Sequence, residues 1–132
     1  MKNIALYLTP KINVVFEYAD ASMRQLFEKM RNHSYTSIPI LDEKGHYFGT
    51  ITEGDILRRI SQKDYFSFKE MENILVRDII TNRLYSPVSI DADFEDLLNV
   101  IVHQNYVPVV DDQGVFIGIV TRGAVLSNLP GL

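Results

Sequence analysis

The chain has 132 residues, of which 46% are hydrophobic, a formal net charge of −4 and no cysteine. This length suits one compact domain or two small units that fold together. The absence of cysteine excludes disulfides, thiolate nucleophiles and cysteine-based zinc sites. The charge provides no basic surface for a nucleic acid, and no apolar run approaches the ~18 residues that would span a bilayer. We therefore expect a cytoplasmic protein with neither a nucleic acid polymer nor a membrane among its partners.

The first periodic segment begins at residue 23. Apolar residues at positions 23, 26, 27 and 30 have helical spacing, and the helix is predicted to end near residues 32–33. Ser22 and Gln25 have the spacing of a capping box. A second helix is predicted from Asp55 to Ile60, after Gly54 breaks the preceding strand.

Two β-branched stretches lie between these helices. Residues 37–41 and 47–52 flank a turn at residues 42–45, and this pattern predicts a β-hairpin. Pro39 has no amide hydrogen to donate, so the first strand is predicted to be an edge strand or to carry a bulge.

The rest of the chain repeats this plan after a linker. Residues 61–73 have no counterpart elsewhere and are predicted to be a partly helical linker. An opening segment at 76–81 and an extended segment at 86–90 lead to a helix with apolar residues at 94, 97, 98, 101 and 102, and Asp93 is its predicted N-cap. A short final helix is predicted to begin at Val125 and to stop at Pro130.

The two halves are copies of one another. Turn and strand residues recur at one common offset of 69 residues: Pro39 and Pro108, Gly45 and Gly114, Gly49 and Gly118, Thr52 and Thr121. Such a shared offset indicates internal duplication, and we assign residues 1–60 to the first repeat, 61–73 to the linker and 74–132 to the second repeat. Each half predicts an α/β (α+β) unit, a small sheet with two helices, that is too small to close its own core. We expect the halves to pack about a pseudo-twofold axis, with ligand clefts between them.

The repeated sequences resemble a known family. Ile38-Pro39-Ile40-Leu41-Asp42 with Gly49-Thr50-Ile51-Thr52-Glu53-Gly54-Asp55, and Val107-Pro108-Val109-Val110-Asp111 with Gly118-Ile119-Val120-Thr121, are similar to the CBS domain, named after cystathionine β-synthase. The opening Val76-Arg77-Asp78-Ile79-Ile80-Thr81 is also similar, and the tandem resembles a Bateman module. The resemblance implies a non-catalytic regulatory module that binds an adenosine-containing ligand such as AMP or ATP, forms a homodimer and acts on a separate target protein.

The first copy carries a Thr-x-x-Asp pattern at the start of its second helix. Asp55 can accept hydrogen bonds from a ribose diol, and Thr52 with the first N–H groups of the helix can hold phosphate. The alternative is that Thr52 only caps the helix and Asp55 only favours its dipole. Glu53 makes this site acidic beside the expected phosphate position.

The second copy departs from that pattern. Thr121 matches Thr52, but Ala124 replaces the aspartate and Arg122 replaces Glu53. A guanidinium suits phosphate through paired, charge-assisted hydrogen bonds. The second site is therefore predicted to hold phosphate but to lack the diol acceptor, and the alternative is that Arg122 is a solvated surface residue.

The chain is also similar to small bacterial CBS proteins that bind cyclic di-AMP, and this similarity would place Lys11, Asn13, Tyr35, Ile38 and Arg122 around the ligand. Gly123 departs from the basic residue that such proteins can carry. Adenine is expected beside the proline strands, against apolar side chains that also serve as core: Ile38, Ile40, Val107 and Val109. Tyr35 and Tyr106 align across the copies. The two alternatives are that they flank a base or that they are buried structural tyrosines.

No catalytic or metal-binding constellation emerges from the sequence. The three histidines are scattered, without partners at metal-ligand spacing, and no cofactor is expected. Three functions remain open: a nucleotide sensor, a purely structural dimerisation module with no ligand, and a small hydrolase.

Overall fold

The computed structural model describes residues 3–33, 35–62, 67–80 and 85–129. Within these ranges the chain forms five α-helices and seven strands in two sheets, which confirms the predicted α/β class. The helices are α1 (Met23–His33), α2 (Glu53–Ser61), α3 (Phe68–Met71), α4 (Phe94–Ile101) and α5 (Arg122–Ser127). The strands are β1 (Thr9–Pro10), β2 (Glu17–Tyr18), β3 (Ser37–Leu41), β4 (Tyr47–Thr52), β5 (Val88–Ser89), β6 (Tyr106–Val110) and β7 (Phe116–Thr121).

The described residues form two compact units. One contains residues 16–44 and 48–84 and is called the first unit; the other contains residues 1–15, 45–47 and 85–132 and is called the second unit. The first unit has the sheet order β2-β3-β4, and the second has β1-β7-β6-β5. Neither unit is a continuous stretch of chain, because residues 45–47 and the opening segment of the first predicted repeat belong to the second unit. The opening segment of the second predicted repeat belongs in turn to the first unit.

The exchanged segments are held by backbone hydrogen bonds. In the second unit, β1 pairs antiparallel with β7, with Thr9 opposite Ile119. In the first unit, the Val76 N–H donates to Ala21 O at 2.9 Å and the Arg77 N–H donates to Ala19 O at 2.9 Å. Strand and bridge pairing thus joins segments that are far apart in sequence, as expected for half-folds that cannot close a core alone. The boundaries of the two sequence repeats, 1–60 and 74–132, stay a prediction.

The predicted capping box starts α1. The Ser22 N–H donates to Gln25 Oε1 at 2.9 Å, and the Gln25 N–H donates to Ser22 Oγ at 3.1 Å. The apolar stripe then faces the core of the first unit, where Met23 and Leu26 are fully buried. At the far end, the helix stops at His33, as the sequence predicts.

Both proline strands lie inside their sheets, so of the two alternatives predicted for Pro39 the edge strand is wrong, and the bulge stays a prediction. Strand β3 lies between β2 and β4, and β6 lies between β7 and β5. The reason is the register, because parallel pairing begins one residue after each proline, at Ile40 with Glu17 and at Val109 with Val88. Neither proline therefore removes a hydrogen bond from the parallel ladder. A register irregularity follows Pro108, between Val109 and Val110.

Several element boundaries differ from the prediction. Helix α2 begins two residues early, at Glu53, and α5 begins at Arg122 rather than Val125, because a threonine caps each helix. Val102, predicted to extend the buried stripe of α4, is 63% exposed. The linker contains the short helix α3, which confirms its partly helical character. The predicted stop at Pro130 lies outside the described residues.

Candidate functional site

The start of α2 carries the first predicted site. Thr52 is the N-cap, and its Oγ1 accepts the Asp55 N–H at 3.2 Å. Asp55 Oδ2 in turn accepts the Thr52 N–H at 2.9 Å, which completes a capping box. The Asp55 side chain is fully buried, and its Oδ1 lies 3.3 Å from Arg58 Nη2. The geometry thus has the features of the capping alternative, and a ribose contact by Asp55 stays a prediction.

The helix start also has fewer N–H groups to offer than the sequence suggested. The Glu53 N–H donates to Thr36 O at 3.0 Å, and the Asp55 N–H is used by Thr52. Gly54 lies between them. A Cβ placed on Gly54 would lie 3.5 Å from Thr52 Oγ1 and 3.9 Å from Arg58 Nη2. The surface above Gly54 is therefore bordered by a hydroxyl and by a guanidinium, and we call these three residues the Thr52–Arg58 corner.

Two arginines near Asp55 were missed in the sequence analysis. They lie on one side of α2, and with Asp78 they border a small pocket of about 40 Å³ lined by Asp55, Arg58, Arg59, Gln62, Asp78 and Ile79. Four of these residues have the spacing i, i+3, i+4 and i+7, which places them on one helix face. That spacing was the available signal. The expectation of an acidic site beside Thr52 considered only Glu53 and overlooked these cations.

The second copy uses its threonine and arginine differently. Thr121 Oγ1 accepts the Ala124 N–H at 3.0 Å and caps α5. The Arg122 guanidinium donates to Ile101 O at 3.0 Å, to Val102 O at 3.2 Å and to Asn105 Oδ1 at 3.3 Å. These acceptors include carbonyls at the C-terminal end of α4, which have no partners within the helix. Arg122 is exposed, but it is also a helix-capping residue, a role that neither alternative included.

The other predicted ligand residues are divided between the units. Tyr35 and Ile38 belong to the first unit, whereas Lys11, Asn13 and Val107 belong to the second. Ile38 is 1% exposed and Val107 is 0% exposed, so both are core residues of their own unit. Tyr35 is 47% exposed, and its ring stacks on His33 with the centroids 5.9 Å apart.

Lys11 and Asn13 form a 3-10 turn directly after β1. Pro10 lies opposite Gly118, so the turn lies toward the beginning of β7. Thr121 ends β7, and three strand residues beyond Gly118 correspond to about 10 Å. The register therefore places this turn and Thr121 at opposite ends of β7.

The strand register changes one predicted equivalence. The offset of 69 that relates Pro39 to Pro108 pairs Tyr106 with Ser37 and Tyr35 with Gln104. Tyr106 is buried in β6, where its ring meets Tyr85 at a centroid distance of 5.0 Å, whereas Tyr35 precedes β3 and is exposed. The two tyrosines are therefore not structural counterparts.

A larger groove lies between α1 and α2 in the first unit, and we call it the helix groove. Its volume is about 440 Å³, and its lining residues are Phe27, Met30, Arg31, Tyr35, Glu53, Ile56 and Leu57. Among the described residues, no group of histidine, aspartate or glutamate side chains could hold a metal ion. No helix in these ranges is long and apolar enough to cross a bilayer.

Comparison with known proteins gives relatives of two kinds. An uncharacterised protein of Methanopyrus kandleri is 26% identical over 134 residues, and the alignment covers 100% of this chain and 66% of that protein. The L-aspartate semialdehyde sulfurtransferase of Methanocaldococcus jannaschii is 32% identical over 104 residues, and 79% of this chain aligns with only 19% of that enzyme. The chain thus spans about two thirds of the first relative and one fifth of the second.

The solved structures include proteins of similar length. CbpB of Listeria monocytogenes, solved in complex with cyclic di-AMP, has a TM-score of 0.82 and 23% identity, and the superposition covers 96% of this chain and 93% of that one. The family model of the CBS domain matches twice, at residues 7–62 and 76–131. The chain therefore belongs to the CBS-domain family and is a tandem of two CBS domains.

Proposed function

We propose that this CBS tandem is a non-catalytic regulatory module that senses an adenosine-containing ligand, and that cyclic di-AMP is the first ligand to test. The observation that carries the proposal is the Thr52–Arg58 corner. There a hydroxyl, the glycine backbone and a guanidinium face the same small surface. Arg58 has a side chain that is 52% exposed, so its charge is accessible to a phosphate group.

The state of Asp55 bears on which adenosine ligand fits. A mononucleotide such as AMP has a free 2′,3′-diol, which gains most from an accessible carboxylate. The Asp55 carboxylate is buried and already accepts hydrogen bonds from Thr52 and Arg58. A ligand whose 3′-oxygen is esterified, as in cyclic di-AMP, has less need of that carboxylate. The Listeria protein of similar fold that was solved with cyclic di-AMP supports the same choice.

The proposed action is differential binding. A ligand that favours one conformation of the tandem shifts its population toward that conformation, and a separate target protein responds to the shift. The sulfurtransferase gives no reason to propose catalysis here, because this chain aligns with only 19% of that enzyme.

A thermal-shift panel tests this proposal. At about 100 times its Kd, a ligand that binds only the folded state adds about 2.7 kcal/mol, or roughly 10 °C in Tm for a chain of this size. We expect cyclic di-AMP to raise the Tm of the wild type more than AMP or ATP does. Arg58→Ala is expected to reduce the ligand-induced rise, whereas Lys44→Ala, which removes an exposed cation from the β3–β4 turn, leaves it unchanged. No rise with any of the three nucleotides at millimolar concentration would refute the proposal.

We also propose that the chain forms a homodimer. If no nucleotide binds, dimerisation itself is the proposed function, that of a structural module. The observation in its favour is the helix groove, where Leu57 is 64% exposed and Tyr35 is 47% exposed beside an apolar floor. Aromatic residues, methionine and arginine are enriched in protein–protein interfaces, and all three types line this groove. Sedimentation equilibrium tests it, and a mass equal to the monomer at all concentrations would contradict it.

A further inference from the structure

The Asp55 carboxylate is enclosed, and Arg58 forms part of the enclosure. Oδ2 of Asp55 accepts the Thr52 N–H at 2.9 Å, Oδ1 accepts an N–H of Arg58 Nη2 at 3.3 Å, and the side chain is 0% exposed. The pocket that Asp55 and Arg58 border has a volume of only about 40 Å³, whereas small-molecule pockets in proteins measure about 300–1,000 Å³. A ribose diol can therefore approach Oδ1 only if the Arg58 guanidinium moves away.

The same guanidinium nitrogen lies beside the surface above Gly54. A Cβ built on Gly54 would lie 3.9 Å from Arg58 Nη2 and 3.5 Å from Thr52 Oγ1. A guanidinium has five N–H donors in a fixed fork, and two of them belong to Nη2. A phosphate group on this surface can therefore accept N–H groups of Arg58 while Asp55 Oδ1 keeps its own. Phosphate binding at the Thr52–Arg58 corner is compatible with the Asp55 pair, whereas diol binding at Asp55 breaks that pair.

A bound phosphate would strengthen the pair between Arg58 and Asp55. In the chain without ligand the Arg58 side chain is 52% exposed, so water screens the pair. A phosphate over the corner would exclude that water, and opposite charges attract more strongly where less water lies between them. Arg58 would also separate two anions, the carboxylate and the phosphate, that repel each other. The pair is thus hardest to break when a phosphate is already bound.

We propose that Arg58 is a specificity-determining residue of the nucleotide site: by occupying Asp55, it makes the site select a phosphodiester with an esterified 3′-oxygen over a mononucleotide with a free 2′,3′-diol. The phosphodiester needs only the phosphate contact. The mononucleotide presents a phosphate to Arg58 and a diol to Asp55, and the pair between these residues prevents both contacts at once. This inference rests on the proposed function and adds how the site discriminates among its ligands.

The second copy lacks both members of this pair. At the common offset of 69 residues, Ala124 takes the place of Asp55 and Ser127 takes the place of Arg58. Discrimination by a paired carboxylate is therefore confined to the first copy. Substitutions at Arg58 change it there without altering an equivalent pair in the second unit.

A ratio of two dissociation constants tests the inference. AMP and 2′-deoxy-AMP share their base and phosphate and differ in one hydroxyl of the diol, so the ratio of their Kd values isolates the diol contact. In the wild type we expect isothermal titration calorimetry to give a ratio of about 1. In Arg58→Ala the carboxylate is uncovered, and we expect AMP to bind about tenfold more tightly than 2′-deoxy-AMP, since the hydroxyl then donates to a charged acceptor. The same variant is expected to bind cyclic di-AMP more weakly than the wild type does.

Two further variants separate the pair from general charge effects. Arg59→Ala removes the same charge from the next residue of α2, and Arg59 forms no ion pair within the described ranges. We expect its ratio to stay at about 1. The double variant Asp55→Asn with Arg58→Ala keeps the shape of residue 55 but removes the carboxylate charge, and it is expected to lower the ratio again. Circular dichroism of each variant shows that the fold is retained.

Three results would overturn the inference and leave the proposed function intact. The first is a wild type that already binds AMP about tenfold more tightly than 2′-deoxy-AMP, because Asp55 would then contact the diol in the presence of Arg58. The second is an Arg58→Ala variant that binds both mononucleotides equally, or neither, although the wild type binds cyclic di-AMP. The third is the same gain of selectivity in Arg59→Ala, which would assign the effect to local charge. A wild type that binds none of cyclic di-AMP, AMP and ATP refutes the proposed function and the inference together.

Discussion

Replacement of Asp55 by alanine separates the capping role of this residue from a ligand role. The buried carboxylate accepts the Thr52 N–H at 2.9 Å and the Arg58 guanidinium at 3.3 Å. Loss of a helix cap costs about 1 kcal/mol, and a hydrogen bond to a charged acceptor is worth about 1.5–3 kcal/mol. The Arg58 pair adds only a few tenths of a kcal/mol, because Arg58 is half exposed and solvent screens it.

These contributions overlap, so Asp55→Ala is expected to lower the free energy of unfolding by about 2 kcal/mol in the absence of any nucleotide. Urea unfolding followed by circular dichroism measures this difference. The matched variant is Ala124→Asp, which places a carboxylate at the equivalent position of α5, three residues after its cap Thr121. It is expected to stabilise the chain by about 0.5–1 kcal/mol. A loss below about 0.5 kcal/mol for Asp55→Ala would show that the carboxylate is not a structural cap.

Four further substitutions, one of them a matched control, test the account of the second unit by urea unfolding. Gly118→Ala is expected to lower the free energy of unfolding by about 3 kcal/mol, because the new Cβ would collide with Thr9 O and lie 2.9 Å from Leu8 Cδ1. The control is Gly114→Ala, where φ is +81° and nothing lies within 4 Å, and it is expected to cost only about 1 kcal/mol of backbone strain. Equal losses of stability in the two variants would contradict the close approach of β1 to Gly118. Arg122→Ala is expected to cost about 1–2 kcal/mol through the lost hydrogen bonds to the end of α4, and an unchanged stability would mean that the guanidinium is not a cap. Gln104→Leu is expected to cost about 2–3 kcal/mol, since the buried amide accepts the Ser86 N–H at 2.6 Å and donates to Tyr106 O at 3.1 Å, and a loss below about 1 kcal/mol would show that these groups find other partners.

Local patterns in the sequence predicted the elements well. The capping box of Ser22 and Gln25, the end of α1 at His33 and the strands Ser37–Leu41 and Tyr47–Thr52 follow from short-range chemistry, and the structure confirms them. The positions that recur at a common offset also predicted two copies of one unit, and the two CBS matches confirm this prediction. The capping box, the helix end and the strands depend on residues that are close to each other in sequence.

Features set by distant contacts were not predictable in this way. The pairing of β1 with β7 joins residues more than a hundred positions apart, and nothing in either stretch identifies the other. Pro39 was predicted to lie in an edge strand or at a bulge because a proline removes a donor, but only the register shows that the parallel ladder begins after it. Arg122 was predicted to hold phosphate or to be a solvated surface residue, whereas two of its acceptors are Ile101 O and Val102 O at the C-terminal end of α4, about twenty residues earlier.

The site chemistry was predicted in part. The pattern located Thr52 and Asp55 at a helix start, and the structure confirms that position. It did not reveal that the carboxylate is buried, because burial depends on the residues that surround it in three dimensions. The positions of Arg58 and Arg59 beside Asp55 were predictable from the helical spacing that follows Asp55.

Isothermal titration calorimetry of the purified chain with cyclic di-AMP tests the central claim most directly. We expect saturable binding that weakens in the Arg58→Ala variant and persists in Lys44→Ala, with AMP and ATP binding less tightly than cyclic di-AMP. The absence of binding heat with all three nucleotides at two temperatures, in a folded sample, would contradict nucleotide sensing by this tandem.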